Sequence, residues 1–240
     1  MQIHFPFTNG GTYTMAQVRA FEADLCAARQ KDSELSKVWR ASEDRQMQRR
    51  IKIREETLPI KLLADHKGYS DDATFSLKPS GNPAIDSEIC ATDETFPLQI
   101  TIADPDWSNE GDRVQHGGYD YNLKMEALNR DGALYGSGRF HRSESEIIPR
   151  TVVTSPDDHR QARTKALLNA LIRKCTGKGD TCRLLIHARG FCAPPVEIQF
   201  EQIVSVSVDQ FVAGGGRLPF ERIYFVDEGA SGYAEIPTKR

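Results

Sequence analysis

Residues 220–228 read FERIYFVDE, and this run constrains the fold more than any other stretch. Successive side chains of a strand project to opposite faces. Four consecutive apolar residues, Ile223 to Val226, therefore suit a strand covered on both sides. CRLLIHARGF, from position 182, is a second apolar run of strand length. Before it lies SPDDHRQARTKALLNALIRKC, from position 155, the cleanest helix pattern in the chain. Ser155 is the expected N-cap, Pro156 fits the first helical position, and Asp157 and Asp158 suit the positive end of the dipole. Ala162, Ala166, Leu167, Ala170 and Leu171 line the apolar side of this helix. Arg160, Arg163, Arg173 and Lys174 are expected on its polar part. A helix leading into a doubly covered strand is the grammar of an α/β protein. The chain has 240 residues, 39% of them hydrophobic, enough for one large domain.

The N-terminal region reads as helix from Thr14, an expected N-cap, to about Glu56. Val18, Phe21 and Leu25 recur at helical steps. Asp32-Ser33 is a plausible break. LPIKLLADHKG suits a short helix ending near Gly68, or a strand. ATFSL then alternates as a strand. From position 82, NPAIDSEICATDETFPLQITIAD reads as two apolar strands joined by a polar turn at 93–95. The first carries Asp86 and Glu88, and the second carries Gln99 and Thr101 on one face. A meander of about three strands is thus expected over roughly 73–103. Residues 104–122 are loop-like in composition. LKMEALNRDG reads as helix, followed by an irregular basic segment, and RTVVT reads as a short buried strand. VEIQFEQIVSVSVDQFV fits either a helix or an extended segment, and FERIYFVDE reads as the final strand.

Charge narrows the functional classes. The net charge is −3, which argues against indiscriminate nucleic-acid binding. Residues 82–131 hold eleven Asp or Glu against Arg113, Lys124 and Arg130. Residues 139–174 reverse the balance, with eight Arg or Lys against four Asp or Glu. The N-terminal stretch matches neither a signal peptide nor a membrane span, so a soluble, cytoplasmic protein is expected. The five cysteines, Cys26, Cys90, Cys175, Cys182 and Cys192, lack zinc-site spacing and read as buried reduced thiols. His116, His141, His159 and His187 are scattered and read as surface or loop residues. GKGD at 177–180 and GGGR at 214–217 do not follow the P-loop pattern and read as turns. Ser143 and Ser145 have no His-Asp partners nearby in sequence.

The order of helix, strand meander, long helix, strand and closing strand resembles the PD-(D/E)XK nuclease superfamily. In that family one strand carries an acid, and the next carries acid-x-lysine. NPAID supplies Asp86 as the first acid. Gln99-Ile100-Thr101 stands where the acid-x-lysine falls. ALLNALIRKC and RLLIHARG match the following helix and strand, and FERIYFV is similar to the closing strand in related bacterial proteins. The resemblance covers roughly 54–228.

It implies a restriction-endonuclease-like mixed central sheet flanked by helices. Residues 1–53 would form an N-terminal helical region packed on the core, and 54–240 the nuclease-like domain, as one globular unit. It also implies a magnesium or manganese ion held by Asp86, Glu88 and Gln99, because such ions take hard oxygen ligands. The catalytic set would be Asp86, Gln99, Thr101 and Lys174, with Lys165 a weaker source of positive charge. Glu55 or Glu56 would supply the acid of the preceding helix, with Glu43 a weaker choice. Gln99 brings an oxygen without charge, and Thr101 a hydroxyl without a cation. Two expectations therefore stand side by side. One is a metal-dependent nuclease with an altered site. The other is a catalytically inactive member that binds nucleic acid or a protein partner, as an accessory or defence-system protein would. The oligomeric state stays open.

Overall fold

A computed structural model describes residues 4–32, 35, 44–79, 85–104, 137–143, 146–152, 156–175, 182–189, 200–227 and 232–238. For 137–143, 146–152 and 156–159 the description is of the backbone alone. The expected helix at LKMEALNRDG, Glu43, Ser155, Cys192 and the acidic loop beyond Asp104 lie outside these residues.

The architecture is α/β. Its elements are β1 (Thr12–Thr14), α1 (Met15–Lys31), α2 (Arg45–Lys67), β2 (Thr74–Leu77), β3 (Ser87–Cys90), β4 (Thr95–Ala103), β5 (Ser137–Ser143), β6 (Glu146–Val152), α3 (Pro156–Cys175), β7 (Arg183–Ala188), α4 (Phe200–Ala213), β8 (Arg222–Asp227) and β9 (Tyr233–Pro237). Seven strands form one mixed sheet in the order β1-β2-β3-β4-β7-β8-β9. β1 to β4 pair antiparallel, β4, β7 and β8 run parallel, and β9 returns antiparallel to β8. β5 and β6 form a separate antiparallel pair.

Local chemistry explains the helix ends. Thr14 and Gln17 form a capping box: the Gln17 N–H donates to Thr14 Oγ1, and the Thr14 N–H donates to Gln17 Oε1 at 2.8 Å. α1 stops at Lys31, where Asp32 turns extended. The Asp44 carboxylate caps α2 by accepting from the Gln46 and Met47 N–H groups. Gly68, at φ 68°, ends α2 in the left-handed conformation that favours glycine. α2 is continuous over 23 residues, so the expected division at 53/54 falls inside it. Pro59 sits within that helix and has no N–H to offer the Glu55 carbonyl.

The sheet is covered on both sides. α1 and α2 pack one face, burying Met15, Val18, Phe21, Ile60 and Leu63 against Phe75, Ile89, Phe96, Leu98 and Leu185. α3 and α4 pack the other, burying Leu167, Leu171, Val204 and Phe211 against Leu184, Ile186, Ile223 and Phe225. β7 and β8 lie between the two layers. This double cover is the physical reason for their continuous apolar runs.

The structure also differs from several expectations. FERIYFVDE is not the last strand, because YAEIP follows it as β9. Part of the segment expected to be irregular forms β5, and the ambiguous 196–212 stretch contains helix α4. Cys182 is buried, but Cys26 and Cys90 are exposed. His187 is buried inside β7 rather than on the surface, and Arg163 is buried at 2% exposure rather than on a polar face. In both cases a central strand or an inter-helix contact overrides the polarity of the side chain. Among the described residues, no helix is long and apolar enough to cross a membrane.

Candidate functional site

β3 is short. Its pairing with β4 begins at Ser87, opposite Leu98. One step earlier stands Asp86, which the same register places opposite Gln99. The Asp86 N–H still donates to the Leu98 carbonyl at 2.9 Å, and the Asp86 carbonyl accepts from the Lys78 N–H at 3.0 Å. Its carboxylate then does what a further strand residue would do: Oδ2 accepts the Ile100 N–H at 2.6 Å. A charged acceptor shortens and strengthens such a bond. Asp86 thus closes the end of the β3–β4 ladder, in the plane of the sheet.

Glu88 lies opposite Pro97, and alternation puts it on the same side as Asp86 and Gln99. Its carboxylate is bonded to Lys78 Nζ at 2.9 Å. Gln99 is half-buried on β4, opposite Leu184. Thr101 lies opposite Ile186, on the side covered by α3 and α4, and is only 9% exposed.

α2 resolves the choice between Glu55 and Glu56. Glu55 forms an ion pair with Arg189, Nη2 to Oε1 at 2.8 Å. Glu56 is half-buried on the next position of the helix. Burial, and then the negative charge of Asp86, push its carboxyl up to about 7. Glu55 adds to the rise and Lys52, one turn back, opposes it. Glu56 and Asp86 are thus the two acids that feel each other. On the other side of the sheet, burial raises the Cys182 thiol; Asp86 adds to that rise and Lys174 works against it. Lys174 is half-buried in the last turn of α3, so Cys182 at the start of β7 lies within electrostatic reach of both Asp86 and Lys174. Lys165 is exposed on the same helix.

A second charged group, absent from the residues read from the sequence, occupies the carboxyl ends of the parallel strands. Arg189 follows β7 directly, and its N–H donates to the Ala103 carbonyl at 2.9 Å. Its guanidinium also faces Asp104, at the end of β4, at 3.9 Å. Arg54 of α2 makes a forked contact with Glu22 of α1, with bonds of 2.8, 3.2 and 2.7 Å. His187 lies nearby at 1% exposure. Burial first, then the positive charges of Arg189 and Arg54, push it down to about 3, so it is neutral at physiological pH. The legible hint was positional. Arg189 and Asp104 each come directly after an apolar strand, and carboxyl ends of parallel strands are where α/β sheets gather chemistry.

Among the described residues, no three or more His, Cys, Asp or Glu gather as a metal cluster. The donor chemistry of Asp86, Glu56 and Gln99 nevertheless fits a hard divalent cation, which takes carboxylate and amide oxygens. Such an ion would also relieve the repulsion that keeps Glu56 protonated near neutral pH. Comparison with protein-family models, with curated proteins and with solved structures finds no match to this chain.

Proposed function

We propose that this chain is a divergent metal-dependent nuclease of restriction-endonuclease-like fold, acting on phosphodiester bonds of nucleic acid. The observation that carries the reading is the convergence of Glu56, from the helix before the meander, on Asp86, at the end of the β3–β4 ladder. The element order supports it: an acid-bearing helix, a three-strand meander, a crossover helix and a parallel strand. Asp86, Glu56 and Gln99 would hold magnesium or manganese. When bound, such an ion supplies a polarised water and neutralises charge on the phosphate. Lys174 brings positive charge from the α3 side, in place of the lysine that Thr101 does not provide. Thr101 is assigned to packing because of its burial. Glu88 is assigned to the Lys78 ion pair.

A specific observation favours a second reading, a catalytically inactive module of the same fold that binds a protein partner. Arg160, Lys165 and Arg173 are exposed, Lys174 is half-buried and Arg163 is buried, so positive charge is spread around α3 rather than gathered toward Asp86. Calorimetric titration of magnesium and manganese separates the two, with wild type, Asp86→Asn and Glu56→Gln, alone and with a short DNA or RNA duplex. Saturable binding lost in both variants, with cleavage of the duplex, supports the nuclease. Absence of metal binding with and without nucleic acid leaves the binding module.

A further inference from the structure

Three consecutive residues of α2 reach three different parts of the molecule. Arg54 grips Glu22 of α1, Glu55 grips Arg189 after β7, and Glu56 is the acid coupled to Asp86. Successive helical side chains point about 100° apart. Holding Glu55 in place therefore sets where Glu56 points. This turn of α2 is also the one weakened by Pro59, which has no N–H to give the Glu55 carbonyl. Its geometry depends more than usual on contacts from outside the helix. Arg189 is well placed to provide one, since its own backbone is bonded to Ala103 at the end of β4. It is 34% exposed and bridges α2 to Asp104 as well.

We infer that Arg189 is a positioning residue for the acidic pair: by holding Glu55 of α2 and Asp104 at the end of β4, it fixes the turn that presents Glu56 to Asp86. This rests on the nuclease reading, in which Glu56 and Asp86 hold the metal. Arg189 itself touches neither the metal nor the phosphate in this assignment. A planar guanidinium suits the task because it holds a carboxylate with a directional fork, which an ammonium does not.

The test is manganese binding by the full-length chain, measured by calorimetry, with circular dichroism as the control for folding. Arg189→Gln and Glu55→Gln remove one ion pair from opposite ends, and each should weaken binding at least roughly tenfold, the order seen when a residue that orients metal ligands is lost. Arg189→Lys should recover part of the loss. The charge reversal Glu55→Arg with Arg189→Glu should recover most of it, whereas Arg189→Glu alone should not. A merely structural role would not follow this pattern of rescue. If Arg189→Gln and Glu55→Gln bind manganese as wild type does, while Glu56→Gln and Asp86→Asn do not, the positioning role is overturned and the metal site stands. A folded double reversal as weak as Arg189→Glu alone overturns it too. If wild type binds no manganese, with or without a duplex, the nuclease reading itself falls and takes this inference with it.

Discussion

The Asp86 carboxylate accepts the backbone N–H of Ile100 at 2.6 Å, at the point where β3 stops pairing with β4. One side chain thus ends a strand ladder and faces an acid on a neighbouring helix. The two tasks respond differently to substitution. Asp86→Ala leaves the Ile100 N–H without this acceptor and is expected to cost about 1–2 kcal/mol in urea unfolding. Asp86→Asn keeps an oxygen in place and should cost less, yet it removes the charge felt by Glu56. Equal losses from both variants would show that charge, not the hydrogen bond, holds the ladder end.

Glu56 should make stability fall as pH rises. Its folded value, about 7, lies above the ordinary 4.5. The folded state therefore binds more protons than the unfolded state between these values, and stability drops with pH across that window. The contribution is complete below about 4.5 and gone above about 7. Glu56→Gln removes the dependence. It should be more stable than wild type at pH 8, by roughly 1–2 kcal/mol once solvent screening of a half-buried group is allowed for. Urea midpoints at pH 5 and pH 8 test this, and parallel curves for the two proteins would contradict it.

The Arg54–Glu22 contact is the most enclosed ion pair between α1 and α2, with Glu22 only 9% exposed. Removing one partner strands the other charge. Arg54→Met is expected to destabilise the protein by about 3 kcal/mol. The double variant Glu22→Leu with Arg54→Met should be more stable than Arg54→Met alone, because no charge is left behind. Chemical denaturation of the four proteins forms the cycle, and simple additivity would argue against coupling.

At the opposite end of the sheet, Glu94 in the β3–β4 turn is bonded to Tyr69 and, at 2.6 Å, to Arg183. Arg183 in turn lies 3.9 Å above the Phe96 ring and bonds the Tyr224 hydroxyl at 2.9 Å. Burial disfavours the Glu94 carboxylate, but the bonds from Tyr69 and Arg183 outweigh it and hold it below the usual range. A depressed acid stabilises the fold above its ordinary value of 4.5, and that contribution is lost as pH falls below it. Glu94→Gln is expected to cost about 2 kcal/mol at pH 7. The gap should shrink on acidification, which urea titrations between pH 7 and pH 3 would show. A constant gap would assign the loss to packing.

How much of this was legible is clearest element by element. Helix caps are local, so Thr14 and Gly68 could be read directly. β7 and β8 were legible because double burial writes itself as an unbroken apolar run. β9 was not, since YAEIP is an edge strand with no apolar pattern. Glu235 holds it in place through Arg222, Lys67 and the Tyr233 hydroxyl, all contacts from elsewhere in the chain or across the ladder. His187 and Arg163 carry no local mark of burial; a central strand and the α3–α4 contact decide it.

The candidate site divides in the same way. The sequence by itself determined that acids and Gln99 stand on neighbouring strands behind an acid-bearing helix, because strand period and helix period are local properties. Tertiary structure alone decided that Asp86 lies opposite Gln99 and ends the ladder, that Glu56 rather than Glu55 meets it, and that Glu55 belongs to Arg189. Register between strands and rotation of a helix are set by distant contacts. A shift of one residue reverses a strand's faces, and one helical step turns a side chain by about 100°.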